Sequence, residues 1–274
     1  MKVARTVLTV FLIVASAING YSQKKYRKMN EKVVKIETSM GNVVVKLYNE
    51  TPQHRDNFIK LIKEKFYDGV IFHRVIKDFM IQTGDPDSKN PVAETQYGMG
   101  DPGYTIPAEI NLKYIHKKGA LSAARTADQV NPERRSSGSQ FYLVQGRTIT
   151  DQQLNQVELS ISQQPLQKMF NDMLGEEENR LKKQGIKIDY DALINEVRKK
   201  VLTQWETMKK FKYTPEQRET YKTIGGTPFL DGQYTVFGEV LEGLDVIDKI
   251  ANVETASADR PKTDVFVKKI TLLN

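Results

Sequence analysis

Two segments near the start of the chain alternate apolar and polar residues with the period of a β-strand. They cover residues 33–38 and 43–48 and are rich in β-branched side chains. This alternation is typical of strands that bury one face. Ser39-Met40-Gly41-Asn42 lies between the two segments. We therefore predict a β-hairpin in which Gly41 or Asn42 supplies the positive φ of the turn.

The apolar period becomes helical after Thr51-Pro52, where Thr51 suits the N-cap and Pro52 the first helical position. Phe58, Leu61 and Ile62 give this helix an apolar face. Further short strand-like segments, separated by turn residues, lie at 70–82, 120–124, 140–144, 234–240 and 265–272, with a short helix at 244–251. This arrangement favours a mainly β fold, with a closed or nearly closed antiparallel sheet and two helices.

Residues 147–224 have a different texture, rich in Gln, Glu, Lys and Leu. Thr150 and Gln153 match a capping box, which predicts a helix that is disturbed at Pro165 and ends near Gly185. A second helix is predicted to start at Asp189 or Asp191. We therefore interpret this segment as an inserted α-helical hairpin between two parts of one sheet domain, 30–146 and 225–274.

The first 22 residues have the pattern of a secretory signal peptide. Lys2 and Arg5 precede the apolar run Val7–Val14, and small residues follow at 15–17. We expect cleavage near residues 17–22 and an exported, most plausibly periplasmic, protein. The apolar run is shorter than the roughly 20 residues of a membrane span, so we expect no stable membrane insertion. An uncleaved N-terminal anchor is the alternative.

Charge and composition exclude several classes of function. The chain has 41 basic and 34 acidic residues and a net charge of +7, which falls to +5 when Lys2 and Arg5 are removed with the signal peptide. The charges are interspersed, which argues against a nucleic-acid partner. No cysteine is present, which excludes disulfides, thiolate metal sites and lipoprotein anchoring. No cofactor is implied.

Several motifs, in order, resemble the cyclophilin family of peptidyl-prolyl cis-trans isomerases. The resemblance covers about residues 33–146 and 225–274 and implies an eight-stranded cyclophilin-like barrel with two capping helices. The matching motifs are Phe72-His73-Arg74-Val75-Ile76, Phe79-Met80-Ile81-Gln82-Thr83-Gly84-Asp85, Gly119-Ala120-Leu121-Ser122-Ala123-Ala124, Ser137-Gly138-Ser139-Gln140-Phe141-Tyr142 and Phe229-Leu230-Asp231-Gly232-Gln233-Tyr234-Thr235-Val236-Phe237-Gly238.

The resemblance implies that the chain rotates X–Pro peptide bonds. The barrier of roughly 18–20 kcal/mol arises from amide resonance, so a donor aimed at the prolyl nitrogen would favour the twisted amide. Arg74 is the candidate donor, since its guanidinium stays charged. Gln82 and Gln140 are the candidates for binding the substrate carbonyl and orienting Arg74, although a buried Gln is also satisfied by ordinary hydrogen bonds.

The resemblance also implies a hydrophobic pocket for the proline ring. Phe79, Met80, Tyr142 and Leu230 are expected to form it, with Phe229 and Tyr234 at its rim. Ala124 and Arg125 lie where family members offer backbone groups to an extended peptide. The other large apolar residues of these motifs are interpreted as core: Phe72, Ile81, Phe141 and Phe237.

Three positions depart from the family pattern. Phe229 replaces the Trp of cyclosporin-sensitive members and lacks the indole donor, so we expect weak cyclosporin binding. Tyr234 replaces a frequent His but keeps a ring wall. Arg125 replaces the usual Asn, and the loop after it, 126–136, is longer and more basic than is typical. Two interpretations stay open for this loop: a bias toward acidic substrate flanks, or a floppy solvated loop.

The three histidines are not expected to form a catalytic or metal site. Alternation places His73 on the strand face opposite Arg74, and proline rotation requires no proton carrier. His54 is predicted on an exposed helix face and His116 in a loop, which gives no support for a metal.

Two functions compete at this point. The first is isomerisation of proline-containing exported clients. The alternative is a non-catalytic peptide-binding or chaperone module, with the helical insertion as the client arm. The insertion itself is interpreted as a substrate-holding arm, a rigid decoration or a docking surface for one partner. Its mixed charge and narrow apolar stripe favour the rigid decoration.

Overall fold

The computed structural model describes residues 25–274, so the predicted signal peptide at 1–22 lies outside the described residues. The strands lie within residues 32–144 and 236–272. They are Lys32–Thr38 (β1), Gly41–Leu47 (β2), Arg74–Ile76 (β3), Met80–Thr83 (β4), Thr105–Ile106 (β5), Ala120–Ala123 (β6), Ser136–Ser137 (β7), Phe141–Val144 (β8), Val236–Glu242 (β9) and Val267–Leu272 (β10).

The helices are Pro52–Lys63 (α1), Asp151–Gln163 (α2), Pro165–Lys183 (α3), Tyr190–Thr207 (α4), Pro215–Thr223 (α5) and Leu244–Ala251 (α6). Short 3-10 helices lie at Pro86–Lys89, Pro228–Leu230 and Ser257–Asp259. Among residues 25–274, no helix combines the length and apolar character that crossing a bilayer requires.

Eight strands form one curled antiparallel sheet in the order β10-β1-β2-β9-β6-β8-β4-β3. The predicted hairpin is confirmed. β1 and β2 pair along their length, with Lys32 opposite Leu47 and Thr38 opposite Gly41, and Gly41 has φ +139°. β5 and β7 pair separately in a small two-stranded sheet.

The predicted closed barrel is corrected to a half-barrel with two edge strands, β10 and β3. β3 forms a ladder with β4 but none with β10. The segment before β3 meets the start of β10 through separate hydrogen bonds instead: the Gly69 amide donates to the Val267 carbonyl at 2.9 Å, and the Phe72 amide donates to the Val265 carbonyl at 2.8 Å. Ile71 and Phe266 form an isolated bridge there.

The main core lies inside the curl of the sheet, and both α1 and α6 bury an apolar face in it. α1 contributes Phe58, Leu61 and Ile62, and α6 contributes Ile247 and Ile250. Each large apolar side chain buried in this way contributes roughly 1.5–3 kcal/mol to the free energy of folding. All four motif residues interpreted as core belong to this cluster: Phe72, Ile81, Phe141 and Phe237.

The chain divides into two compact units. The first comprises the described residues up to Thr148 together with Thr223–Asn274, and the second is Ile149–Lys222. The second unit is helical, and the capping box of Thr150 and Gln153 starts its first helix. The predicted long helix is divided at Pro165 into α2 and α3, and Asp189 caps α4. α3 and α4 pack together around Leu193, Val197 and Val201 of α4.

Candidate active site

A cavity of 370 Å³ is lined by residues from β3, β4 and β8 and from the loops beside them. It gathers most of the residues predicted for the site, while Gln140 and Phe229 do not line it. The predicted residues that line it are Arg74, Phe79, Met80, Gln82, Ala124, Arg125, Tyr142, Leu230 and Tyr234.

Strand alternation explains how the apolar part of the cavity forms. On β8, Phe141 and Leu143 belong to the main core, whereas Tyr142 belongs to a second cluster with Met80 and Leu230. Phe79 and Tyr234 pack against this second cluster while remaining partly exposed. The result is an apolar slot with a buried floor, as predicted from the motifs.

The floor of this slot is fixed by a buried polar network. His116 is 1% exposed, and its Nδ1 donates to Asp231 Oδ1 at 2.7 Å. Its Nε2 lies 3.1 Å from the Tyr142 hydroxyl. Burial raises the pKa of Tyr142 well above its ordinary value, so the phenol stays neutral. His116 therefore holds the ring of Tyr142 in place.

Arg74 lies on the polar side of the cavity, opposite Gln82 in the β3–β4 register. Its side chain is 43% exposed, and its Nε donates to Asp259 Oδ2 at 3.4 Å. A partly exposed, permanently charged guanidinium at the edge of an apolar slot is available to a bound ligand.

The two glutamines have different positions. Gln82 lines the cavity and donates from Nε2 to Gln140 Oε1 at 3.0 Å. Gln140, 6% exposed, donates in turn to the carbonyls of Gly98 at 3.0 Å and Gly100 at 2.7 Å. Gln140 thus fixes a loop of the cavity wall and supports Gln82 from behind, while Gln82 faces the cavity.

Arg125 does not present a free charge to the cavity. Its side chain is 3% exposed and pairs with Asp128 at 2.6 Å. The guanidinium also stacks 4.4 Å over the ring of Tyr234, and Nε donates to the Gln233 carbonyl. The loop after it is held rather than floppy, since Arg134 also pairs with Asp128. Neither open interpretation of this loop is supported by these contacts.

Phe229 lies beside the slot rather than in its lining. It is 54% exposed, and its ring centroid is 5.5 Å from that of Phe79. It therefore extends the apolar surface outward from the cavity.

The prediction that His54 lies on an exposed helix face is wrong. His54 is 2% exposed, with Nδ1 at 2.6 Å from Glu109 Oε2 and Nε2 at 2.9 Å from Ser136 Oγ. Burial lowers its pKa, and the bond to Glu109 opposes that shift. The turn of α1 that carries His54 packs onto the loop of Glu109, which the helical period alone does not show. Among residues 25–274, no group of three metal-binding side chains occurs.

Comparison with known protein families decides the assignment. The sequence model described as "Cyclophilin type peptidyl-prolyl cis-trans isomerase/CLD" matches residues 33–160 and 214–272. The chain belongs to the cyclophilin-type peptidyl-prolyl cis-trans isomerase family.

Relatives of this cyclophilin span nearly the whole chain. A Staphylococcus epidermidis protein named "Putative peptidyl-prolyl cis-trans isomerase" is 29% identical over 242 residues, or 88% of this chain and 91% of its own. A Staphylococcus aureus protein of the same name is 29% identical over 252 residues, with 89% and 96% covered. The crystal structure of a Cryptosporidium parvum cyclophilin type peptidyl-prolyl cis-trans isomerase has the same fold, with a TM-score of 0.51, 18% identity and coverage of 88% and 97%.

The cyclophilin motifs did not reveal one wall of the cavity. This wall comes from two loops, and its residues are Gln96, Tyr97, Gly98, Met99, Ala258 and Asp259. Asp85, the last residue of the second motif, fixes the first loop by accepting from the Gly98 and Gly100 amides. Glycines at 98, 100 and 103 are typical of a loop, whereas Asp259 has no motif or spacing that points to it.

His73 also lines the cavity of this cyclophilin, so its predicted separation from Arg74 is wrong. β3 begins at Arg74, and strand alternation does not extend to the residue before it. His73 is 3% exposed, and neither ring nitrogen has a hydrogen-bond partner in the described chain. Burial lowers its pKa to about 4; Asp85 opposes the shift and Arg74 adds to it. The imidazole is therefore neutral in the folded protein at pH 7.

We predict that the free energy of unfolding falls less with decreasing pH in His73→Leu than in the wild type. Because His73 must lose its proton to fold, its contribution to the free energy of unfolding is complete above pH 6.5 and is lost as the pH falls from 6.5 toward 4. A shift of this size corresponds to about 3 kcal/mol. Urea unfolding at pH 7 and pH 4.5 should show a smaller difference in the variant, with stability at pH 7 kept or raised, since an unpartnered buried polar group is removed. An unchanged difference would contradict this role.

Proposed function

We propose that this cyclophilin catalyses cis-trans rotation of X–Pro bonds in exported client proteins, with Arg74 as the donor to the prolyl nitrogen. The observation that carries the proposal is the position of Arg74, a partly exposed guanidinium at the edge of the apolar slot. No bond is made or broken in this reaction, so catalysis requires a site that binds the twisted amide better than the planar one.

The physical reason lies in the change at the prolyl nitrogen. In the planar amide its lone pair is delocalised, and in the twisted state the nitrogen becomes a hydrogen-bond acceptor. A donor held in place stabilises only the second state, and therefore lowers the barrier. Arg74 is suited to this task because its charge does not depend on pH in the physiological range.

The slot supplies the second requirement, a grip on the proline ring. Met80, Tyr142 and Leu230 form buried walls, and Phe79 closes one side. A solved neighbour of this fold, the Cryptosporidium parvum protein, was crystallised in the presence of the dipeptide Ala-Pro. This supports proline-containing peptides as ligands here. Gln82, with its amide nitrogen engaged by Gln140, keeps its carbonyl oxygen for a substrate amide. The backbone amide of Ala124, by contrast, already donates to the Gln140 carbonyl at 3.0 Å, and its carbonyl accepts from the Ser137 amide at 2.8 Å.

The exported role rests on the signal-peptide pattern of residues 1–22. Clients in the periplasm would be unfolded or partly folded chains with accessible prolines. Uncatalysed proline rotation takes tens of seconds, so an isomerase outside the cytoplasm would speed their folding.

We predict that Arg74→Ala lowers kcat/KM on a short X–Pro peptide by about 100-fold, the usual cost of removing one donor to the transition state. A protease-coupled assay on the mature chain measures this. Lys77→Ala is the matched control, since Lys77 is an exposed base in the β3–β4 turn that does not line the cavity. Full activity of Arg74→Ala would exclude the proposed mechanism.

Weak cyclosporin binding is expected because Phe229 offers no side-chain donor. Its exposed position beside Phe79 leaves room for a larger ring. We predict that Phe229→Trp tightens cyclosporin binding by about 10-fold, the value of one added hydrogen bond of roughly 1.4 kcal/mol. Inhibition titrations measure the change. Phe229→Tyr is the control, because a phenol does not place a donor where an indole does; equal gains in both variants would contradict the explanation.

The helical unit carries an observation in favour of the second candidate function, client holding. α3 has no buried residue along its 19 positions, although Leu166, Met169, Phe170 and Met173 form an apolar stripe against α4. Two helices leave such a stripe partly open, and the flexible Met side chains adapt to varied apolar partners. The predicted rigid decoration would bury this stripe.

A groove of 260 Å³ runs along this stripe between α3 and α4. Leu202, 45% exposed, and Arg198 lie at its edge. Arg198 bonds Asn195 at 3.4 Å, and no carboxylate lies within ion-pair distance of it in the described chain. The occupant that fits is an apolar segment of a non-native client carrying an acidic residue, since that charge would complement Arg198.

We predict that Leu202→Glu lowers the affinity for a Leu- and Glu-containing amphipathic peptide by about 10-fold, because it places a charge against apolar surface. Arg198→Glu should lower the affinity for the same peptide and raise the affinity for a counterpart that contains Lys in place of Glu. Fluorescence anisotropy measures both. Leu159→Glu and Lys199→Glu are the matched controls, an exposed apolar residue and an exposed base outside the groove. Self-association through the groove, or equal losses in the controls, would exclude client holding there.

A further inference from the structure

Asp259 is an acidic residue of the cavity wall, and its carboxylate pairs with the guanidinium of Arg74. Its Oδ2 accepts from Arg74 Nε at 3.4 Å. The two side chains are similarly exposed, 46% for Asp259 and 43% for Arg74. An ion pair of this kind contributes little to global stability, because water screens the charges. Its effect must therefore be sought in the site itself.

The backbone that presents Asp259 is unusual. Ala258 has φ +57° and Asp259 has φ +62°, so two successive residues other than glycine lie in the left-handed region. Such conformations are costly for residues with a Cβ and persist where surrounding contacts enforce them. Aspartate tolerates the region better than most residues, which suits it to this position.

Arg260 enforces the conformation from the adjacent position. It is 9% exposed and donates to the carbonyls of Val92 and Thr95, both at 2.7 Å. It also binds Asp264 through two nitrogen–oxygen contacts of 2.8 and 3.1 Å. The turn that carries Asp259 is thus anchored to the loop that forms the opposite part of the wall, and its carboxylate is presented at a fixed place.

The atoms used by this contact decide what it can do. Asp259 engages Nε, the nitrogen nearest the aliphatic stem of Arg74, and the terminal nitrogens have no partner in the described part of the chain. A guanidinium held at Nε loses rotational freedom while its two terminal nitrogens stay free to donate. Arginine otherwise has high side-chain entropy, which a catalytic donor must lose before it can act.

We propose that Asp259 is a positioning residue that holds the Arg74 guanidinium ready for the prolyl nitrogen before substrate binds. The inference rests on the proposed role of Arg74. It assigns to Asp259 an effect on the chemical step rather than on ligand binding. The carboxylate of Asp259 contacts Arg74 and does not belong to the apolar cluster that grips the proline ring. Pre-organisation of a donor raises kcat and leaves KM nearly unchanged.

The test uses three variants of the anchored turn. Asp259→Gly keeps the left-handed backbone and removes the carboxylate, and Asp259→Asn keeps both the backbone preference and an acceptor oxygen. Ser257→Gly is the control, since Ser257 is an exposed residue of the same turn that does not line the cavity, and its replacement loosens the turn while leaving Asp259 in place. NMR exchange measurements on a short X–Pro peptide give kcat and KM separately for each.

We expect kcat to fall about 5- to 10-fold in Asp259→Gly and less in Asp259→Asn, with KM changed less than about 2-fold. Ser257→Gly should behave as the wild type. At 1 M salt, where the screening length is about 3 Å, the wild type should approach the kcat of Asp259→Gly, and that variant should respond little.

Each of the following outcomes would contradict a specific part of the proposal. An unchanged or higher kcat in Asp259→Gly overturns the positioning role while leaving Arg74 as donor. The same loss in Ser257→Gly would assign the effect to the turn and not to the carboxylate. A further loss when Asp259→Gly is added to Arg74→Ala would show that Asp259 acts elsewhere. Full activity of Arg74→Ala alone would instead exclude Arg74 as the donor, and with it the proposed function on which this inference rests.

Discussion

Alternation along β4 and β8 is the constraint on which the rest of the molecule depends. Because neighbouring side chains of a strand point to opposite faces, Ile81 and Phe141 fill the main core while Met80 and Tyr142 form the slot. The same four residues therefore determine both folding and the binding surface. A register shift of one residue would exchange the two sets, so the slot is as precisely defined as the core behind it.

The strands could be predicted because they depend on local period and residue type, whereas the slot and Arg74 were implied only by the resemblance of the motifs to cyclophilins. Neither the local period nor the resemblance predicted that His54 is buried or that Arg125 is held, since both outcomes involve partners far along the chain: Glu109 for His54, and Gln233 for Arg125 beside its near neighbour Asp128. Asp259 was missed for the same reason, because it lies 185 positions from Arg74. Contacts between loops leave no periodic trace in a sequence.

The polar residues of the site form two layers with separate tasks. Arg74 and Gln82 face the cavity, whereas Gln140 and Asp231 are buried and hold their neighbours by hydrogen bonds. Buried amides and carboxylates are costly unless every bond is made, and here they bind backbone amides, carbonyls and the His116 ring. The second layer thus stabilises the loops whose geometry the first layer requires.

The wall at residues 98–100 has a consequence for how this enzyme can change. Asp85 and Gln140 clamp Gly98 and Gly100 from both sides, and a Cβ on Gly100 would lie 2.1 Å from an Asp85 oxygen. Met99, between them, is 89% exposed. Of these three positions, evolution or protein engineering is free to vary Met99, so new substrate preferences can be introduced there without disturbing the scaffold.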